Sequence, residues 1–229
     1  MDWHEWHEPY EDRASPLSRR LALVQGHFAA ALDRSPDGPI SVISMCAGQG
    51  RDVIGVLVDH RRGPDVRATL VELDERNVAV AVARASQAGL VGVDVVQADA
   101  GTTDAYRTAG PAAVVLACGL FGNITDDDVE KTIAALPSFC TPEATVIWTR
   151  HRRPPDLTPS IRRWFAEAGF VEESFDAPPD LFIGVGAHRL VGDPQPRRPG
   201  QRLFDFVGYD ILDRRGTTSP LPPGGEGDR

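Results

Sequence analysis

The sequence has 229 residues, a net charge of −9, and 41% hydrophobic and 25% charged residues. This length suits one α/β domain, and an acidic balance gives no general attraction to phosphate backbones, which disfavours a nucleic-acid partner. No apolar run approaches the roughly 18 residues that cross a bilayer, and the amino terminus lacks the basic and apolar segments of a signal peptide. The composition therefore predicts a cytoplasmic protein with no membrane partner.

Helical and extended patterns alternate along most of the chain. Apolar residues recur at helical spacing from Ser15 to about Asp33, and a Pro- and Gly-containing break follows at 35–39. The next segments predict strands at 40–46, 67–73, 93–98, 112–118, 144–149, 170–175 and 181–190. The predicted helices between them are 51–60, 74–88, 125–136 and 158–168.

This alternation predicts a mostly parallel sheet with helices on both faces. No helix separates the strands at 170–175 and 181–190, so the last strand must turn back antiparallel. The expected fold class is therefore α/β, with a seven-stranded, mostly parallel sheet and an antiparallel last strand.

Small and acidic residues follow the first three strands. In an open α/β sheet, ligands bind beyond the carboxyl ends of the strands. Gly48 and Gly50, after the first strand, allow the backbone to approach a ligand closely. Glu72 ends the second strand, where a carboxylate can accept both hydroxyls of a ribose. Asp99 follows the third strand and can accept an adenine amino group, while the small side chain of Ala100 leaves room for the ring. Together they predict an adenosine site.

The loop at 42–50, Glu72, Asp99 and the antiparallel close resemble class I S-adenosylmethionine (SAM)-dependent methyltransferases over residues 40–190. The resemblance implies a Rossmann-like domain with SAM as cofactor, in which Ala47 and the two loop glycines pass the methionine moiety. It also implies that Glu72 holds the ribose and that Asp99 contacts the adenine.

Two residues depart from the pattern of that family. Ser44 stands where the family usually has an acidic residue, and Cys46 where it has a first glycine. The acidic residue helps to orient the methionine ammonium, and Asp52 is a substitute for that role. A dinucleotide site fits less well, because its glycine motif needs a small residue where this chain has Val53.

The segment after the fourth strand is expected to lie under the methyl group. Gly119 allows close approach, Phe121 is expected to contact the acceptor, and Asn123 either hydrogen-bonds the acceptor or shapes the loop. The Asp/Asn-Pro-Pro-aromatic motif of many amino-methylating enzymes is missing from the sequence, which favours a small-molecule acceptor.

Basic residues follow the fifth strand at 150–153. His151 is a candidate general base, and Arg150 can hold an anionic acceptor. The alternative is a solvated loop whose charges pair with nearby acidic residues.

Aromatic residues before the first strand predict a lid. Tyr10 is expected to close over the cofactor, and Trp6 and His7 over the acceptor. The alternative is a flexible terminus docked on the surface. The segment at 203–209 is expected to pack back onto this lid.

These observations divide the chain into three parts. They are an N-terminal lid segment and helix at 1–38, a methyltransferase domain at 39–212, and a disordered tail at 213–229. The predicted function is methyl transfer from SAM to an O, N or C nucleophile of a small molecule. Methylation of RNA or protein, resting on the basic run, and non-catalytic adenosine-nucleotide binding remain as alternatives. No set of residues predicts a metal site, and a homodimer is compatible with the sequence.

Overall fold

The computed structural model describes Tyr10, Asp12 and residues 14–207. Seven strands form one sheet in the order β3-β2-β1-β4-β5-β7-β6. The strands are β1 (Ile40–Met45), β2 (Val66–Glu72), β3 (Val93–Gln97), β4 (Ala112–Ala117), β5 (Cys140–His151), β6 (Phe170–Asp176) and β7 (Ile183–Leu190). The helices are α1 (Pro16–Arg34), α2 (Arg51–Leu57), α3 (Glu75–Gln87), α4 (Asp126–Ala135) and α5 (Thr158–Glu167).

The predicted fold class is confirmed. The pairs β3-β2, β2-β1, β1-β4 and β4-β5 are parallel, whereas β7 is antiparallel to both of its neighbours. Strand β5 begins earlier than the predicted 144, because Cys140 pairs with Ala112 before the register shifts. Glu143, inside this shift, has a φ of 61°. Such a conformation breaks the alternating pattern that sequence analysis relies on.

Each face of the sheet carries its own apolar core. On one face, Phe28 of α1 packs with Val53 of α2 and Ala81 of α3. The predicted N-terminal helix therefore shares a core with the domain. On the other face, Trp148 of β5 lies between Phe165 and Phe175, with ring centroids 5.9 and 5.8 Å away. No helix in the part of the chain that the structure describes is long and apolar enough to span a membrane.

The chain returns to the carboxyl edge of the sheet after β7. Residues 201–207, which we call the C-terminal strap, run beside the loops that follow β3 and β4. Arg202 forms an antiparallel bridge with Thr102, and Leu203 N donates to Gly101 O over 2.8 Å. Leu203 and Phe204 are buried in the core that contains Trp148. The strap is therefore an integral part of the fold, although the sequence patterns predicted no regular element there.

Candidate functional site

A cavity of about 360 Å³ opens at the carboxyl edge of the sheet. It lies beside β1, where the strand order changes direction, with β2 and β3 on one side and β4 on the other. Open α/β sheets bind their ligands at this position. Its walls come from α1, the loops after the first four strands and the C-terminal strap. They include Tyr10, Arg20, Leu21, Val24, Cys46, Ala47, Gly48, Gln49, Asp52, Glu72, Leu73, Asn77, Asp99, Ala100, Cys118, Gly119, Asn123 and Phe206.

The loop after β1 is fixed by its backbone. Ala47 N donates to Val71 O and Gly50 N to Ala47 O, both over 2.9 Å. Gly50 has a φ of 67°, and a Cβ there would lie 2.7 Å from Ile54 Cδ1 and 2.9 Å from Leu70 Cδ2. Both the left-handed conformation and the tight packing therefore require glycine at this position.

Glu72 joins the loop after β1 to the loop after β2. Gly48 N donates to Glu72 Oε2 over 2.8 Å, and Asp74 N donates to Oε1 over 2.9 Å. The carboxylate is buried and lines the cavity. Because a carboxylate has about four acceptor positions, two remain for hydroxyl groups of a ligand.

Asp99 is held by two donors. Gly101 N donates to its Oδ1 over 2.8 Å, and Arg202 of the strap donates to Oδ2. Burial tends to raise the pKa of Asp99, but the Arg202 and Gly101 hydrogen bonds hold it below its usual value. Asp99 is therefore ionised at neutral pH. Sequence reasoning missed Arg202, because nothing in the local pattern links it to a residue so far away in the chain.

Asp52 and Arg20 contribute a carboxyl group and a guanidinium to the cavity wall. Burial raises the pKa of Asp52 to about 6, opposed by hydrogen bonds from the backbone N–H groups of Val53 and Asp52 itself and by the charge of Arg20. Arg20 donates to the hydroxyl of Tyr10, whose ring also lies 5.3 Å from the Arg51 guanidinium carbon. Sequence reasoning missed Arg20, because nothing in the pattern of α1 indicates that this position reaches the edge of the sheet.

The loop after β4 contributes Gly119 and Asn123 to the cavity wall. Gly119 N donates to Thr149 Oγ1 over 2.8 Å, and Gly119 has a φ of 74° with open space beside it. Asn123 Nδ2 donates to Gly119 O over 2.7 Å, and Val207 N donates to Asn123 O over 3.0 Å. Asn123 thus shapes this loop and joins it to the strap, while also lining the cavity.

Comparison with known proteins identifies the architecture. No protein-family model matches the sequence, and no curated protein matches it. Magnesium protoporphyrin IX methyltransferase from Synechocystis PCC 6803, solved with bound SAM, has a TM-score of 0.63 at 13% identity, covering 83% of this chain and 91% of that one. The 1,6-didemethyltoxoflavin-N1-methyltransferase of Burkholderia thailandensis, solved with 1,6-didemethyltoxoflavin and S-adenosylhomocysteine (SAH), has a TM-score of 0.60 at 16% identity, covering 83% and 84%. An O-methyltransferase family protein from Burkholderia thailandensis has a TM-score of 0.58 at 14% identity, covering 85% and 65%.

The chain has the class I methyltransferase fold. The order of the strands and the antiparallel β7 agree with this fold. Ala47 and Gly48 of the loop after β1, Glu72 and Asp99 lie at the carboxyl edge and line one cavity. Gly50, predicted for the same site, is not part of the lining and instead packs against Ile54 and Leu70.

Three residues predicted to meet the acceptor are not among the residues that line the cavity. Phe121 is fully buried in the core, and Arg150, also buried, donates to Phe121 O. His151 lies beside Gly122, and burial, together with the charges of Arg150 and Arg153, lowers its pKa to about 4. The buried guanidinium of Arg150 therefore holds the loop after β4 through the carbonyl oxygen of Phe121.

Two further predictions concern the ends of the chain and metal binding. Trp6 and His7 lie outside the described residues, as does the predicted tail. Within residues 10, 12 and 14–207, no group of three or more His, Cys, Asp or Glu side chains is arranged to hold a metal ion.

Leu21 and Val24 line the cavity from α1, although their spacing predicted only a core helix.

Proposed function

We propose that this protein is a SAM-dependent methyltransferase that acts on a small molecule. The observation that carries the proposal is the convergence of Glu72, Asp99 and the Gly48–Gly50 loop on one cavity within the methyltransferase fold. A cavity of about 360 Å³ lies within the range of ordinary small-molecule sites, about 300–1,000 Å³.

The polar groups of the cavity fit the three parts of the cofactor. The two remaining acceptor positions of Glu72 suit the ribose hydroxyls, and Asp99 with Ala100 suits the adenine. The charges of Arg20 and Asp52 complement the carboxylate and ammonium of the methionine moiety. This pairing supplies a partner for the ammonium, which Ser44 does not.

One buried donor also favours a polar ligand. Asn77 Nδ2 has no hydrogen-bond partner among the described residues, although Asn77 is buried and lines the cavity. A buried donor without a partner costs about 1–3 kcal/mol. A polar ligand that accepts a hydrogen bond from Asn77 would recover that free energy.

The chemistry needs little from the protein beyond alignment. The bound cofactor supplies an electrophilic methyl group and leaves as a neutral thioether. Gly48 and Gly119 line the cavity without a side chain and so allow close approach of a ligand to the backbone. Holding donor and acceptor in line would contribute most of the rate. Burial raises the pKa of both Cys46 and Cys118 well above the usual value, so neither thiol competes as a thiolate for the methyl group.

A small acceptor is favoured over RNA by the state of the basic run at 150–153. The guanidinium of Arg150 is buried, and Arg152 Nε lies 3.1 Å from Asp156 Oδ2. The protein as a whole is acidic, with a net charge of −9. Two of the similar structures are of methyltransferases named for small molecules, magnesium protoporphyrin IX and 1,6-didemethyltoxoflavin.

Non-catalytic adenosine-nucleotide binding is the second candidate. It is favoured by His151, whose low pKa makes it a weak base and which is not among the residues that line the cavity. In that case the cavity would bind SAM and SAH without transferring the methyl group.

Isothermal calorimetry tests the cofactor assignment. We expect the full chain to bind SAM and SAH at one site each and to show no heat with NAD. Binding of NAD in place of both would contradict the proposal. Binding of SAM and SAH without transfer to any acceptor would support the non-catalytic alternative.

A further inference from the structure

The C-terminal strap brings an aromatic side chain to the cavity from outside the methyltransferase core. Phe206 lines the cavity and is 43% exposed. Its ring meets that of Phe204 edge to face, with centroids 5.7 Å apart, and Phe204 is buried. Phe206 therefore lines the cavity while packing against a neighbour that is itself buried in the core.

A second apolar side chain reaches the cavity from the other face of the sheet. Leu73 follows Glu72 directly, lines the same cavity and is 62% exposed. It precedes α3, which packs on the face opposite to the one that buries Leu203 and Phe204. Covering exposed apolar side chains of this kind with the apolar surface of a ligand is favourable, because it removes that surface from water.

The strap also holds the carboxylate of Asp99. Arg202 donates to Asp99 Oδ2 and to Asp205 Oδ1, so the guanidinium links the loop after β3 to the strap. Gly101 allows this approach, because a Cβ there would lie 2.4 Å from Phe204 O. With Gly101 N on Oδ1 and Arg202 on Oδ2, Asp99 is confined to one orientation while keeping acceptor positions for a ligand.

We propose that the C-terminal strap is a recognition element for the adenine ring, in which Phe206 packs on the ring opposite Leu73 and Arg202 orients Asp99 toward the amino group. This inference rests on the function proposed above. It assigns ligand recognition to a segment outside the region that resembles the family. The flat apolar ring of adenine suits a cavity that two exposed apolar side chains line, and its amino group suits a fixed carboxylate.

Phe206 and Arg202 have different proposed roles, so their replacement should affect ligand binding differently. Phe206 contacts the face of the ring, and packing there is insensitive to the substituent at position 6. Arg202 is a positioning residue, which acts through Asp99 on the amino group alone. A pair of ligands separates the two roles: SAH, and its analogue in which an oxygen replaces the adenine amino group.

Calorimetry with this pair of ligands tests the proposal. We expect Phe206→Ala to weaken binding of both ligands about tenfold and Phe206→Leu to lose less, since a stacked aromatic contributes a factor of this order. Phe182→Ala is the matched control, because Phe182 is 60% exposed and lies outside the cavity lining. Its affinities should equal those of the wild type.

Arg202→Ala should reduce the preference for SAH over the 6-oxo analogue at least fivefold, and Arg202→Lys should restore part of it. Equal loss for both ligands would mean that Arg202 only supports the fold, and tighter SAH binding would mean that it competes with the adenine; either result overturns its assigned role. Unchanged affinity in Phe206→Ala would overturn the stacking role. If the wild type binds neither ligand, the proposed function itself fails.

Discussion

Replacement of Glu72 by glutamine changes one atom in the side chain that joins the loops after β1 and β2. The carboxylate accepts hydrogen bonds from Gly48 N and Asp74 N at 2.8 and 2.9 Å, and we assign its remaining acceptor positions to the ribose. Glutamine keeps the shape but has one acceptor oxygen, so one loop N–H and one ribose hydroxyl each face an NH₂ group. Since a hydrogen bond to a charged group contributes about 1.5–3 kcal/mol and a neutral one about 1, the ligand loses roughly 2–4 kcal/mol. That is a rise of about 30- to 1,000-fold in the Kd for SAH.

The assay is calorimetry with SAH on the wild type and Glu72→Gln, with thermal unfolding measured on the same samples. Glu75→Gln is the matched control, because Glu75 is exposed in the first turn of α3 and lies outside the cavity lining. It should bind SAH as the wild type does. A Glu72→Gln protein that remains folded and binds SAH within threefold of the wild type would refute the role of Glu72.

Three further predictions concern pH and backbone. Because the pKa of Asp52 is about 6, its charge is lost as the pH falls through that value. The affinity for SAH should therefore fall below pH 6 in the wild type and change less with pH in Asp52→Asn. The same pH dependence of affinity in both proteins would contradict the pairing of Asp52 with the methionine ammonium. Gly50→Ala should lower the free energy of unfolding in urea by about 1 kcal/mol more than Gly89→Ala does. The two glycines have nearly the same positive φ, 67° and 66°, but only Gly89 has open space where a Cβ would lie. Equal losses would show that the contact of a Cβ at position 50 with Ile54 costs nothing. Burial lowers the pKa of His188 from 6.5 to about 4, so protonation favours the unfolded chain between these values. The free energy of unfolding should therefore be highest above pH 6.5 and fall by up to roughly 3 kcal/mol as the pH falls toward 4. Urea unfolding of His188→Asn should lack this part of the pH dependence, and the same dependence in variant and wild type would contradict the assignment.

Most of the fold could be predicted from the sequence, because each buried strand is a short apolar run and each helix has a polar side. The capping signals were equally local: Thr125 Oγ1 accepts from Asp128 N over 3.1 Å, as its position before the helix predicts. The antiparallel β7 followed from a missing helix between two strands. Such features depend on neighbours in sequence, which a pattern contains.

The remaining parts depend on contacts between distant residues. Arg150 and Phe121 were predicted to meet the acceptor because they follow strands, yet both turn inward, and Arg150 donates to the Phe121 carbonyl. Arg20 was not singled out from the sequence, because its place in the cavity depends on how α1 packs on the sheet. The bond between Arg202 and Asp99 joins residues on opposite sides of four strands in the sequence, and no local period marks it.

Transfer of a labelled methyl group is the most direct test of the central proposal. The full chain would be incubated with methyl-labelled SAM and cell extract separated into small-molecule, protein and RNA fractions, with Glu72→Gln in parallel. The proposed function predicts label in the small-molecule fraction with the wild type and far less with the variant. Label in the RNA or protein fraction alone would contradict the choice of acceptor, and no transfer to any fraction by a protein that binds SAM would contradict catalysis.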